Sequence, residues 1–87
     1  MSEKYEVELT SAARKQLQKL DGRTRELILG SLGMLAEMPR PPAASNLSGR
    51  PGQFRIRVRD FHIIYSVDDG RLLMLVIKIG QRRDVHK

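Results

Sequence analysis

The sequence predicts an α+β domain of order β-α-α-β-β-β, a mainly antiparallel sheet with an αα-hairpin packed on one face. Three observations carry this prediction. Apolar residues recur at helical spacing through residues 11–37. They alternate with polar residues at strand spacing at Tyr5–Leu9 and again from Phe54 onward. Turn residues separate the segments: Asp21-Gly22, the proline-rich run after Met38, Arg59-Asp60 and Asp68-Asp69-Gly70. Eighty-seven residues with 40% apolar content suit one domain, spanning 1–87, with one modest core.

The elements follow in order. Tyr5 to Leu9 alternates apolar and acidic residues, so Tyr5, Val7 and Leu9 are expected inward. Thr10 or Ser11 suits the N-cap of the first helix, whose stripe is Ala13, Leu17 and Leu20. Asp21-Gly22 breaks it. The second helix runs to about Glu37 on a stripe of Leu27, Ile28, Leu32 and Leu35, with Ser31 filling the gap. Gly30 and Gly33 weaken this helix by roughly 1 kcal/mol each relative to alanine. That cost points to close packing against a neighbour. Pro39 ends the helix.

Residues 39–53 read as a loop, long enough for so small a domain to suggest a functional role. Three strands follow, Phe54–Val58, Phe61–Val67 and Leu72–Ile79. A two-residue turn at Arg59-Asp60 places Arg57 opposite His62. Asp68-Asp69-Gly70 suits a three-residue loop with its glycine left-handed. That loop places His62 opposite Val76, with Lys78 close by. Phe54, Ile56, Val58, Ile63, Tyr65, Val67, Leu73, Leu75, Ile77 and Ile79 then face the helices. The other face carries Arg55, Arg57, Arg59, His62, Ile64, Ser66, Met74, Val76 and Lys78.

Charge concentrates in the sheet half. Residues 1–49 hold seven Lys/Arg and six Asp/Glu, a net of +1, and residues 50–87 hold nine and four, a net of +5. The chain total of +6 favours a polyanion or an acidic protein partner. The absence of cysteine removes disulfides, zinc–thiolate sites and cysteine nucleophiles, and fits a cytoplasmic protein. No apolar window is long enough for a membrane span, and the N-terminus lacks the apolar core of a signal peptide. Zinc, calcium and P-loop spacings do not occur, so neither metal nor cofactor is expected. Asp68-Asp69 reads as a turn signal.

Both histidines, His62 and His86, lie among the basic residues of the C-terminal half. RNA is cleaved without metal when a base removes the 2′-hydroxyl proton, cations stabilise the phosphorane and an acid protonates the leaving 5′-oxygen. Imidazole suits both proton transfers because it titrates near neutrality. Arginine suits the phosphorane, because its fork matches phosphate oxygens and keeps its charge. Phe61 is the main candidate for stacking on a base, so base readout is expected to be weak. Arginines alternating along a strand also serve as plain solvated decoration, and a strand histidine is commonly structural.

Three segments, LSGRPGQFRIRVRDFHIIYSVDDG, LLMLVIKIG and QRRDV, occur here in one order. Through them the whole chain resembles the RelE/ParE toxin superfamily of bacterial and archaeal toxin–antitoxin pairs. The family pattern has L-x-G, a basic strand, a G-D-Y-R-(V/I)-I-Y hairpin, an apolar strand and a G-H-R-x-x-(V/I)-Y end. The resemblance implies a metal-free endoribonuclease that cuts messenger RNA in the ribosomal A site. It implies a cognate antitoxin that wraps and blocks the toxin, with operator DNA reached only through that antitoxin. ParE-like members share the fold and poison DNA gyrase. A third implied role is an inert antitoxin-binding co-repressor.

The family's cations match Arg55, Arg57 and Arg82. Departures are specific. Arg59 stands at the hairpin glycine, His62 at the hairpin arginine, Gln81 at the basic residue after Gly80, and His86 at the terminal tyrosine. The resulting expectation is a two-histidine variant. His62 and His86 act as base and acid in either order, and Arg57 and Arg82 stabilise the phosphorane. Arg55, Arg59, Lys78 and Arg83 bind the substrate.

Overall fold

Strand β1 (Glu6–Leu9) leads into helix α1 (Ser11–Gln18) and helix α2 (Gly22–Glu37). After them come β2 (Ser45–Asn46), β3 (Gln53–Val58), β4 (Phe61–Asp68) and β5 (Leu73–Gln81). These elements are those of a computed structural model, which describes residues 4–81. The five strands form one sheet in the order β1-β5-β4-β3-β2. β1 runs parallel to β5 and the other neighbours are antiparallel. The short β2 strand lies inside the segment expected to be loop. It pairs Ser45 with Arg55 and Asn46 with Phe54.

Both helices are capped by the residues that precede them. The Thr10 hydroxyl accepts from the Ala13 amide at 3.1 Å, and an Asp21 carboxylate oxygen accepts from the Thr24 amide at 3.4 Å. Arg25 joins the two helices. Its guanidinium donates to the carbonyls of Leu17, Gln18 and Leu20 at 3.3, 3.2 and 2.7 Å. These carbonyls lie in and just beyond the last turn of α1, where intrahelical donors run out.

The core joins Ala13, Ile28, Leu32 and Leu35 of the helices to Phe54, Ile56, Ile63, Tyr65, Met74, Val76 and Ile79 of the sheet. Ala36 is also buried, and Leu27 lies outside this core at 37% exposure. Gly30 and Gly33 are exposed, and a Cβ at either would meet nothing within 4 Å. They therefore do not mark a close helix contact. They lie on the outer side of α2, which also exposes Leu29, Met34 and Met38.

The β4–β5 pairing corrects the expected register. Asp69 to Leu72 form a four-residue loop, so Asp68 pairs with Leu73 and Tyr65 with Val76. The left-handed residue is Leu72, at φ 51°, and not Gly70. Between Ile64 and Tyr65 the register shifts, because Ile64 pairs with Lys78 and Ile77 becomes the extra residue of a β-bulge. Met74 and Val76 consequently face the core at 0% exposure, whereas Leu73, Leu75 and Ile77 do not join it. Beyond the bulge the parity reverts, and Ile79 faces inward as expected. The run Leu72–Ile77 is apolar throughout, so its pattern could not choose a face.

The bulge is held from the other end of the chain. The Thr10 amide donates to the Val76 carbonyl at 3.0 Å, and its hydroxyl donates to the Ile77 carbonyl at 2.8 Å. The Ile79 amide donates to the Gln16 side-chain oxygen at 2.7 Å. Thr10→Val keeps the shape and removes the hydroxyl that both caps α1 and meets Ile77. It is expected to lower stability by about 1–3 kcal/mol in urea denaturation, with Thr10→Ser retaining most of it. An unchanged midpoint for Thr10→Val would contradict this account.

Arg59 occupies the first position of the two-residue β3–β4 turn at φ 55°. Turns with positive φ only at that position favour glycine there. A left-handed non-glycine residue costs about 1–2 kcal/mol. The extra chain entropy of glycine in the unfolded state offsets roughly 0.5–1 kcal/mol of that relief. Arg59→Gly is therefore expected to leave stability unchanged or to raise it slightly. The β-branched Arg59→Val should lose about 1–2 kcal/mol in the same denaturation assay. Equal stability of the two variants would show that the turn does not hold this conformation in solution.

Candidate functional site: the basic open face of the sheet

The sheet face away from the helices is organised in rows set by pairing. One row aligns Arg57 on β3, His62 on β4 and Gly80 on β5. The next aligns Ser45, Arg55, Ile64 and Lys78. The expected Arg57–His62 pairing is present. His62 faces Gly80 rather than Val76, because the loop and the bulge together displace β5. Lys78 lies one row along from His62, in line with Arg55.

Paired residues on adjacent strands have Cβ atoms about 4.5–5.5 Å apart, so an arginine and a histidine stand side by side at the Arg57–His62 step. Arg57 is exposed and His62 half-buried. The Arg57 Nε donates to the Arg59 carbonyl at 2.8 Å, which ties the side chain back onto the turn. Its terminal nitrogens then offer the end-on fork that matches two phosphate oxygens. Arg55 and Lys78 are half-buried and Arg59 is exposed. Arg82, Arg83 and His86 lie outside the described residues. Among the described residues, no group of three or more His, Cys, Asp or Glu could hold a metal ion.

Phe61 is half-buried and packs against the core. All four aromatic residues, Tyr5, Phe54, Phe61 and Tyr65, pack in or against that core. Among the described residues, the open face therefore offers no phenylalanine or tyrosine ring as a broad stacking platform.

Beside the basic row lies a feature that motif reading missed, an open groove of about 620 Å³. Ile64 and the bulged Ile77 contribute apolar surface to it, and Arg50, Arg55 and Lys78 contribute cations. Asn46, Leu47 and Ser48 line it from the connecting segment, and Gln53 from the start of β3. The segment folds back because Gly49 and Gly52 adopt φ of 73° and 79°. Amide-to-carbonyl bonds from Leu47 to Gln53, from Arg50 to Leu47 and from Gln53 to Arg50 then close the turn at 3.0–3.2 Å. The sequence signal for this was the length of the 39–53 segment together with its glycines.

A clamp fixes the other end of that segment. Arg40 donates to both carboxylate oxygens of Asp69 at 3.2 and 2.8 Å, and Tyr5 donates its hydroxyl to the same carboxylate. The Arg40 guanidinium, and then the Tyr5 hydroxyl, hold the Asp69 carboxyl below its usual range. Arg40 also lies 5.6 Å from the centroid of the Phe54 ring. Beneath it the Tyr65 hydroxyl donates to the Pro39 carbonyl at 2.7 Å, and burial pushes the phenol up to about 12. Asp69 is thus structural, as a turn residue with a cationic partner.

The fold has known counterparts. A family model described as the ParE toxin of the type II toxin–antitoxin system parDE matches residues 7–86. A putative RelE-like toxin protein from Escherichia coli is 30% identical over 81 residues, covering 91% of this chain and 84% of that protein. The intact E. coli RelBE toxin–antitoxin complex contains a chain that superposes with a TM-score of 0.79 at 29% identity, covering 88% of this chain and 95% of its own. The archaeal RelE–RelB complex from Pyrococcus horikoshii OT3 gives a TM-score of 0.81 at 25% identity, covering 92% and 97%. With two helices on a five-stranded mixed sheet, and this family match across nearly its whole length, the chain belongs to the RelE/ParE family of type II toxin–antitoxin toxins.

Proposed function

We propose that this protein is a metal-independent endoribonuclease toxin that cuts messenger RNA in the ribosomal A site. The observation that carries the reading is the direct pairing of Arg57 with His62 on the open basic face. Gly80 lies across from His62 in the same row. Arg82, Arg83 and His86 follow Gly80 by two, three and six residues in the sequence.

In the proposed reaction, one imidazole of the His62–His86 pair takes the 2′-hydroxyl proton. The 2′-oxygen then bonds to phosphorus and the P–O5′ bond breaks. The other imidazole protonates the departing 5′-oxygen, leaving a 2′,3′-cyclic phosphate. Arg57 and Arg82 carry the charge of the phosphorane. Arg55, Lys78, Arg59 and Arg83 hold flanking phosphates. With its phenylalanine and tyrosine rings packed in or against the core, the toxin depends on the ribosome to present the message.

The test is primer extension on a reporter message in reconstituted translation. Cuts within A-site codons, absent without ribosomes, are expected. His62→Ala and His86→Ala should each slow cutting by about 10²–10⁴-fold, and the rate should follow a bell-shaped pH profile near neutrality. A flat profile with both variants fully active would sink the two-histidine mechanism, and uncut messages would sink the nuclease reading.

The match to a ParE family model favours one further reading, a gyrase-directed toxin that leaves messages intact. A supercoiling assay with the same protein separates it from an inert co-repressor.

The cognate partner we assign is an antitoxin, as in the RelB complexes of the solved relatives. Its docking surface is the outer face of α2. There Leu27 and Met34 are 37% and 68% exposed and share one side of the helix, and Met38, just past its last turn, is 61% exposed. Met34 and Met38 line a hollow of about 310 Å³ with Pro41. An amphipathic antitoxin helix would bury this stripe. Met34→Glu is expected to weaken the antitoxin complex about tenfold or more in calorimetric titration. Unaltered affinity would place the antitoxin elsewhere.

A further inference from the structure

We propose that the groove between the 46–50 segment and the open face is a nucleotide pocket, and that the Gln53 carboxamide reads the edge of the base held there. The proposal rests on the ribonuclease reading for its substrate class and adds a determinant of which message positions are cut.

Four observations lead to it. The groove encloses about 620 Å³, within the range of small-ligand sites. Its chemistry is divided as a nucleotide is divided. Ile64 and Ile77 offer apolar surface for the flat face of a base, and Arg50, Arg55 and Lys78 offer cations for phosphate. The Oε1 atom of Gln53 is buried and has no hydrogen-bond partner among the described residues. Native folds seldom leave such an acceptor unmatched, and a ligand group is one way to satisfy it.

The fourth observation is position. Gln53, Arg55 and Arg57 alternate along one face of β3, with successive side chains on that face about 6.6 Å apart. Arg55 thus bridges the groove and the Arg57–His62 pair, so an RNA strand laid along β3 meets Gln53 on one side of the cleavage chemistry. The phenylalanine and tyrosine side chains pack in or against the core, which favours hydrogen bonding, with Gln53 at the groove, as a means of discrimination on this face. A carboxamide suits this, since it presents a donor and an acceptor together.

The experiment uses the full chain, labelled with nitrogen-15, and titrates it with each of the four ribonucleoside 5′-monophosphates and with inorganic phosphate. The amides of Asn46, Ser48 and Gln53 should shift with nucleotides, and the best nucleotide should bind about five- to tenfold tighter than the worst. Gln53→Leu should erase that ranking while keeping affinity for inorganic phosphate. The near-isosteric Gln53→Glu, which removes the donor and keeps acceptors, should reorder the ranking toward bases with an exposed amino group. Equal binding of all four nucleotides, or of nucleotides and inorganic phosphate, overturns the pocket.

Primer extension with the same proteins separates this proposal from the reading beneath it. Messages cut by wild type with an altered codon distribution in Gln53→Leu support both. Messages cut with an identical distribution by wild type and by Gln53→Leu overturn the pocket and keep the nuclease. Uncut messages with Gln53-dependent nucleotide ranking overturn the nuclease and keep the pocket.

Discussion

Between Ile64 and Tyr65 the pairing of the two central strands slips by one residue, and most of the molecule's organisation follows from where that slip falls. On one side of it Met74 and Val76 enter the core with Tyr65. On the other side Ile79 enters the core while Lys78 and Gly80 align with Ile64 and His62. A sheet without the bulge would have to choose between filling its core and placing a lysine on the basic face. The bulge allows both, because one extra residue reverses the alternation midway along β5. Thr10 and Gln16 meet the polar groups that the irregularity exposes, so helix α1 and the register of β5 stabilise one another.

A second constraint acts on the connecting segment. Arg40 is held by Asp69 at the β4–β5 turn, and the Pro39 carbonyl is held by the buried Tyr65 hydroxyl. Residues 45–46 then add to the edge of β3, and the glycine turn at 49–52 folds the chain back beside Arg55. The clamp lies at the hairpin end of the sheet and the catalytic candidates lie at the other. One segment therefore converts a structural ion pair on the surface into a wall of the groove.

The charge of the domain gains a direction from this arrangement. Arginine and lysine on β3 and β5 share the open face with a histidine, while the apolar residues of the same strands fill the other side. Cations alone would bind any phosphate backbone, which gives affinity without selectivity. In the proposed reading, an imidazole beside a guanidinium would add proton transfer, and a carboxamide in an adjoining groove would add a hydrogen-bonding partner for a base edge.

Much of this was legible in the residues. Periodicity defined two helices and three strands, because their apolar residues repeat at spacings that suit one type of element, and a continuous apolar run after a turn signal marked the fourth strand. The pairing of Arg57 with His62 followed from a two-residue turn, which leaves no freedom of register. Family membership was legible too, from three segments in fixed order. The sequence could not determine the face of each β5 residue, since six consecutive apolar side chains suit either side. It could not place Leu27 and the glycines of α2, because periodicity does not say where a helix stripe stops being covered. Nor could it show Gln53 joining Lys78 in one groove, two residues far apart in the chain. Those outcomes needed tertiary structure, because loop length, bulge position and the partners of Thr10 are settled only when distant segments pack together.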